Sequence, residues 1–566
     1  MDIILRKVKS GTRTAYLVLI ALLLQTSLLG QARSDFEVAK NLDIMATLYR
    51  TLNSNYVDDL QHGELFETAI VSMLESLDPY TNYIPESQRE DYLFMTTGQY
   101  GGIGALIQQR KDYVVVSEPY EGAPAQKAGL IAGDKILEIN GQSAKGKSVS
   151  DVSSILKGQP GTDLELLIER KGVKEPVLVS LTRENVKIDD IPYFGFLENN
   201  IAYINLSGFT QSASADVKKA FQDLQSQTEL NGLIIDLRGN GGGLLSEAVD
   251  IVGMFVPSGE TVVSTRGKLQ ESNRVHKTTS QPDDLDIPIA VLVDNNSASA
   301  SEIVAGALQD LDRAVVIGQR TLGKGLVQNV IPLTYNTSLK VTVAKYYIPS
   351  GRCIQAIDYF HKDENGDHIV IPDSLKTAFT TRNGRTVYES AGIEPDVLVE
   401  PRTLSNISRE LITNYMIFDF ANQFYLDNNT IAPAGEFEIT DAIYEEFKSF
   451  AAAGKLDYQT DSEEVLEELK LVIEEESNNE NVLAMIQSIE KEISNSKAND
   501  LETFSPEIKD ILRSEIISRY YFQRGRVISA LPKDRAVKKA LEVLQDQEQY
   551  MNVTGNGSTL PLKEKG

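Results

Sequence analysis

The chain predicts an α/β protein of several domains, with a β-rich module set ahead of the α/β layers and helical regions at both ends. Three observations carry that expectation. From residue 186 to 402, strands apolar on nearly every position alternate with amphipathic stretches, the pattern of a sheet covered on both faces. Ahead of them, short β-branched runs are broken by glycines and by Asn140-Gly141, a hairpin signature. At 566 residues, the chain also exceeds the size of one core, which seldom grows past about 250–300 residues.

Taken in order, residues 1–32 read as an export signal. Arg6, Lys7, Lys9 and Arg13 precede the apolar run Ala15–Leu29, and the small residues Gly30 and Ala32 follow. That is the three-part layout of a secretory segment, and the run is short for a span of about 20 residues. Retention as an uncleaved anchor, with the membrane association it brings, is the alternative. Residues 33–97 read as helical, with a compact turn in "LDPYTNYIP". The β-rich module occupies 98–185: "DYVVVSEP", "DKILEINGQ" and "DLELLIER" are its strands and "VSDVSSILKG" its helix.

In the α/β region 186–402, "IAYINLSG", "GLIIDLRG", "IAVLVDN" and "RAVVIGQ" are strands. "SADVKKAFQDLQ", "LLSEAVDIVGMF" and "SEIVAGALQDL" are helices. Residues 403–551 return to helix, with Ile407, Leu411, Tyr415 and Phe418 on one face and an acidic helix around Asp461–Glu476, a solvated face. A polar tail, 552–566, is expected to be disordered. No second apolar run of spanning length follows the first, so the exported chain is expected to be soluble.

Composition narrows the chemistry. A formal charge of −26 without a basic patch argues against nucleic-acid partners. Four histidines (His62, His276, His361, His368) and the single Cys353 form no triad motif and no metal-ligand spacing. No metal or cofactor is expected. A serine hydroxyl needs a base to act as a nucleophile, and the candidate pair is a serine of "NNSASASEIVAG" with Lys324 of "TLGKGLVQ". A free lysine is neutral in about one molecule in 2,500 at pH 7, so burial has to favour its neutral form by about 4 kcal/mol. "GQRTLGKG" also fits the opening of a phosphate-binding loop, but Gly325 stands where that loop needs Ser or Thr, and a strand follows instead of a helix.

The third piece is "LRGNGGG", a glycine turn between strand and helix. Successive N–H groups in such a turn can cradle an anion, and a plain connector explains it equally well. All three pieces follow apolar strands, at the edge where α/β layers collect their sites. Ser299 would then stand at a helix start, where the dipole favours developing negative charge. The Ala300 N–H and one glycine N–H could form an oxyanion hole.

"SASASEIVAGALQD", "GKGLVQ", "LRGNGGG", "LDPYTNYIP", "KYYIPSGRCIQ" and "GIEPD", in this order, resemble the carboxy-terminal processing proteases. These are tail-specific serine peptidases with a Ser–Lys dyad and a PDZ domain. The likeness runs from about residue 35 to 402. It implies an α/β protease core with a layered fold like that of ClpP and the crotonases, and a PDZ domain at 98–185. It places the nucleophile on Ser299, the general base on Lys324 and a lysine-orienting glutamine on Gln328, leaving Ser297 and Ser301 structural. The oxyanion donors fall on Ala300 and Gly242, although Gly241 stands where the family usually has proline. Gly101, Gly102, Ile103 and Gly104 resemble the loop that grips a peptide carboxylate, with Lys157 near a position that couples binding to activation.

The resemblance implies an exported endopeptidase, in a bacterial periplasm, cutting proteins or peptides with free C-termini near those ends. The rival is a PDZ adaptor that kept the fold and lost turnover. The C-terminal helices in relatives serve substrate access or self-association, and a plain packing domain explains them as well.

Overall fold

In the computed structural model, residues 35–555 are described, apart from 363–367, 373, 375, 390–391, 455–457 and 477–479. The export segment 1–32 and residues 556–566 of the polar tail lie outside the described residues. The chain divides into two units, Met1–Pro79 and Tyr80–Gly566. Among the described residues, no helix is long and apolar enough to cross a membrane.

The first unit holds two helices, α1 (35–55) and α2 (His62–Glu75). Tyr49 joins them through its hydroxyl, 3.1 Å from His62 Nδ1, and through an edge-on contact with Phe66. Two helices of this length enclose little volume, and Phe36, Leu42, Leu48 and Met73 remain exposed.

In the second unit, an antiparallel sheet comes early. Its spatial order is β1 (Ala105–Arg110), β2 (Tyr113–Pro119), β3 (Lys135–Ile139), β4 (Asp163–Glu169) and β5 (Val177–Thr182). Asn140 and Gly141, at φ 50° and 74°, turn the chain after β3 as an Asn-Gly pair does in a type I′ hairpin. Helix α3 (Val149–Leu156) opens on a capping box in which Ser148 and Asp151 exchange hydrogen bonds, satisfying two N–H groups at once. Strand β1 is the edge of this sheet and contacts α3.

The central sheet runs β6 (Tyr193–Phe196), β7 (Ile201–Asn205), β8 (Gly232–Asp236), β9 (Ile289–Val293) and β10 (Val315–Gly318), ending with Val397–Leu398. All neighbours are parallel except the pair β6–β7. Alternate residues explain why these strands are apolar throughout. Ala202, Ile204, Leu233, Ile235, Val291 and Val316 face α4 (Ala213–Gln225), α5 (Leu245–Gly253) and α6 (Ala300–Asp310). Tyr203, Ile234, Leu292 and Ile317 face the other way, onto Val537, Ala540 and Val543 of the helix Arg535–Gln545. A second, antiparallel sheet has β11 (Leu326–Pro332) paired with β12 (Ser338–Tyr347).

The helical region 403–551 therefore has two destinations. Most of it encloses its own core around Phe420, Phe447, Leu512 and Ile516, but its last long helix roofs the central sheet. Asp534 caps that helix by accepting the N–H groups of Ala536 and Val537. It also pairs with Arg238, which is bound to Asp236 at the end of β8. The face expected from Ile407 through Phe418 is not one helix. Tyr415 takes a left-handed φ of 60° between Asn406–Thr413 and Met416–Asp427, so its side chain leaves the Ile407–Leu411 stripe. The final helix Gln547–Val553 runs past residue 552, where the polar tail was expected to start.

Candidate active site

Strand β9 ends at Val293, and the turn that follows uses its own polar groups to hold its shape. Asp294 Oδ1 accepts the N–H groups of Asn296, Ser297 and Gly239, each at 3.0 Å. Ser297 Oγ donates to the Leu237 carbonyl at 2.8 Å, and Ser301 Oγ to the Asn240 carbonyl at 2.9 Å. Both hydroxyls are buried and stitch this turn to the glycine turn after β8. Ser299, between them, is half-buried. Its backbone sits at φ 57°, ψ −112°, a conformation that costs a residue bearing a β-carbon about 1–3 kcal/mol and persists only where surroundings enforce it. Helix α6 begins at Ala300, and the first N–H groups of a helix have no acceptor within it. Burial of every residue of α6 anchors that start.

The glycine turn presses directly on the serine turn. Gly242 has φ 96°, and a β-carbon there would stand 2.7 Å from the Ala298 carbonyl and 2.8 Å from Ser299 Cβ. Its N–H donates to Asn240 Oδ1 at 2.9 Å, while Asn240 Nδ2 donates to the Leu206 carbonyl. The Gly242 amide is thus engaged inside the protein.

Lys324 arrives on the turn between β10 and β11, and two buried side chains join that turn to the serine turn. Glu302, on the first turn of α6 and 0% exposed, accepts four hydrogen bonds. Oε2 takes the N–H groups of Ser299 at 2.8 Å and Lys324 at 2.9 Å; Oε1 takes the Thr321 hydroxyl at 2.6 Å and the Gly323 N–H at 2.7 Å. Burial pushes this carboxyl up to about 7, against the pull of those donors. On the carbonyl side, the Tyr346 hydroxyl lies 3.1 Å from the Ser299 oxygen and 2.5 Å from that of Lys324. Lys324 Nζ stands over the Tyr80 ring, 4.3 Å from its centre. Gln328, on β11, donates its amide N–H to Thr342 Oγ1 at 3.4 Å.

The remaining predicted residues gather elsewhere, at β1 and α3. Gly101 and Gly102 pair with Glu184–Asn185, and Ile103 and Gly104 lead into β1. Gly101 accepts the Gly158 N–H, next to Lys157, whose ammonium lies 5.8 Å from the centre of the Tyr100 ring. Strand β1 is an edge strand of its sheet and lies beside α3.

Sequence reasoning passed over Glu302, Tyr346 and Asn240. Glu302 did carry a signal, since it stands three residues after Ser299, the spacing of a capping box. Tyr346 and Asn240 did not, because the contacts that tie them to the other segments span 22 to 61 residues.

The comparisons agree along the chain. Residues 200–362 match the model of peptidase family S41, residues 115–170 that of the PDZ domain, and residues 407–544 that of a probable PDZ-protease C-terminal helical domain. A carboxy-terminal-processing protease of Bartonella bacilliformis is 38% identical over 323 residues, 56% of this chain and 73% of that one. A probable CtpA-like serine protease of Staphylococcus aureus is 33% identical over 320 residues, 56% of this chain and 62% of that one. A solved structure of the photosystem II D1 C-terminal processing protease is 28% identical and covers 64% of this chain and 93% of that one, with a TM-score of 0.35. The molecule is thus a serine-type protease, a hydrolase, with a PDZ domain and a helical C-terminal domain. It belongs to the carboxy-terminal processing proteases of peptidase family S41.

Proposed function

We propose that this chain is an exported endopeptidase of the bacterial periplasm that cuts protein substrates near their free C-termini with a dyad of Ser299 and Lys324. The tying of the Ser299 and Lys324 turns at both their N–H and carbonyl groups, by Glu302 and Tyr346, carries the reading. Ser299 Oγ attacks the peptide carbonyl while Lys324 Nζ takes its proton, and the same proton passes to the leaving amine. Water then attacks the acyl-enzyme with Lys324 again accepting a proton, which it returns to Ser299 Oγ as the acyl–Oγ bond breaks and the new carboxyl end departs. The strained Ser299 backbone and the start of α6 support this role, as they present the hydroxyl at the positive end of a helix dipole.

The Ala300 N–H is one oxyanion donor. For Gly242 to be the second, its bond to Asn240 Oδ1 has to open, a rotation of one peptide group. Gln328 orients the lysine from β11 once its contact with Thr342 is exchanged. The α/β layers belong with the ClpP and crotonase-like cores. The PDZ domain, over 98–185, takes the substrate tail as a strand beside β1, its carboxylate held at Gly101–Gly104 and Lys157 coupling that binding to cleavage. The test compares wild type, Ser299→Ala and Lys324→Ala on an unfolded protein with a free apolar C-terminus. Both variants should fold and lose about 10³-fold or more in cleavage. Full activity in Ser299→Ala would remove the mechanism, and a wild type that binds tails without cutting them would favour an adaptor.

A further inference from the structure

Attack and proton transfer leave the buried carboxyl of Glu302 without a role. Glu302 lies beside both proposed catalytic residues, and its carboxylate accepts the N–H groups of both. Three of its four bonds come from the backbone of the two turns that carry them, and the fourth from the Thr321 hydroxyl. Oε2 alone holds Ser299 and Lys324, whose N–H groups meet on a single oxygen at 2.8 and 2.9 Å. The carboxylate is therefore a joint: moving it shifts both turns, and removing its charge leaves more donors than acceptors around it.

We propose that Glu302 is a positioning residue whose ionised carboxylate holds the Ser299 and Lys324 turns in register, so that the dyad works only while Glu302 is charged. This rests on the dyad reading above. Four donors converge on two carboxylate oxygens, two on each. A protonated carboxyl, or a glutamine, brings hydrogen-bond donors of its own into that set and forces an N–H or O–H out of it. Tyr346 then holds the carbonyls alone, and the reacting groups lose their mutual alignment, for which displacements of about 1 Å cost about 10²-fold in rate.

The surroundings define a pH window. The titratable groups that face Glu302 are the Tyr346 phenol from β12, whose own proton the Glu302 charge helps retain, and Lys324 from the turn before β11. Cys353 and Tyr80 in turn act on the Tyr346 phenol. Burial places the Glu302 carboxyl at about 7, raised from 4.5. Activity should therefore fall as pH drops through about 7. Folding stability runs the other way, because the folded state binds this proton more readily than the unfolded chain does. The stability contributed by Glu302 declines as pH rises from 4.5 towards 7. A residue that served stability alone would give activity and stability the same sign across that window.

The experiment measures the rate of labelling by a fluorophosphonate probe, which reports the nucleophile without requiring a bound tail. Rates are taken from about pH 5.5 to about 9 on the full chain, with folding followed by circular dichroism. Wild type should show an acid limb near pH 7. Glu302→Gln should label about 10²-fold more slowly at high pH, with a shallower acid limb set by deprotonation of Lys324 alone. Thr321→Val removes a donor that lowers the Glu302 pKa, so its limb should move to higher pH. A folded Glu302→Gln protein with the wild-type rate, or a slow one that keeps the wild-type limb, overturns the proposal. So does an unmoved limb in Thr321→Val, which decides alone if Glu302→Gln does not fold. Labelling that survives in Ser299→Ala overturns the dyad reading instead.

Discussion

The serine turn and the glycine loop ahead of β1 are both backbone sites, yet they are held in different ways. Around Ser299, side chains do the holding, the half-buried Asp294 and the buried Ser297, Ser301, Asn240 and Glu302: each bonds to main chain far away in sequence. Around Gly101–Gly104, main-chain pairing and close glycine contacts do it. Buried hydrogen bonds in low dielectric resist displacement because an unmade partner is costly there. A loop held by main chain at a sheet edge can adjust to a peptide. The first arrangement suits bond-making, which needs alignment within fractions of an ångström, and the second suits a ligand whose sequence varies.

The largest test of that contrast is Gly242→Ala. Its β-carbon would strike the Ala298 carbonyl and Ser299 Cβ from a left-handed backbone, so the serine turn has to move. Probe labelling should fall by about 10²-fold or more. Next is Asn240→Ala, which strips the partners of the Gly242 N–H and the Leu206 carbonyl from a fully buried position. Urea unfolding should show a loss of about 1–3 kcal/mol, with labelling also slowed.

Gly104→Ala addresses the other loop. Gly104 has φ 71°, and its β-carbon would meet that of Ala123 at 2.3 Å. Affinity for a peptide with a free carboxylate should weaken by about 1–3 kcal/mol, measured by fluorescence anisotropy. If Gly104→Ala lost labelling as fully as Gly242→Ala, the two loops would not be distinct devices. Smallest is Lys157→Ala, which removes a half-buried cation near the Tyr100 ring. It should cost the same peptide about 0.5–1 kcal/mol.

The strands and helices were legible because their patterns are local. Alternation marked β4, and uninterrupted apolar residues marked β7 to β10. Asn140-Gly141 announced its hairpin through a φ preference that two residues carry by themselves. Tyr415 was not legible: the stripe from Ile407 continues through it at helical spacing, and one left-handed residue breaks it. At the site, a serine between alanines at a strand end and a lysine between glycines could be picked out, since each marks a turn by its own neighbours. The clamp that joins them could not, because its members lie on three separate segments.

By itself, then, the sequence determined which segments pair with water and which with each other, where the chain turns, and which residue types stand at the turns. Only the tertiary structure decided that the helix Arg535–Gln545 returns to roof the central sheet through Asp534 and Arg238. It also decided that one glutamate and one tyrosine tie the Ser299 and Lys324 turns. The physical reason is range. Periodicity and turn chemistry act over a few residues. Hydrogen bonds to a buried carboxylate join whatever the folded chain has brought within about 3 Å.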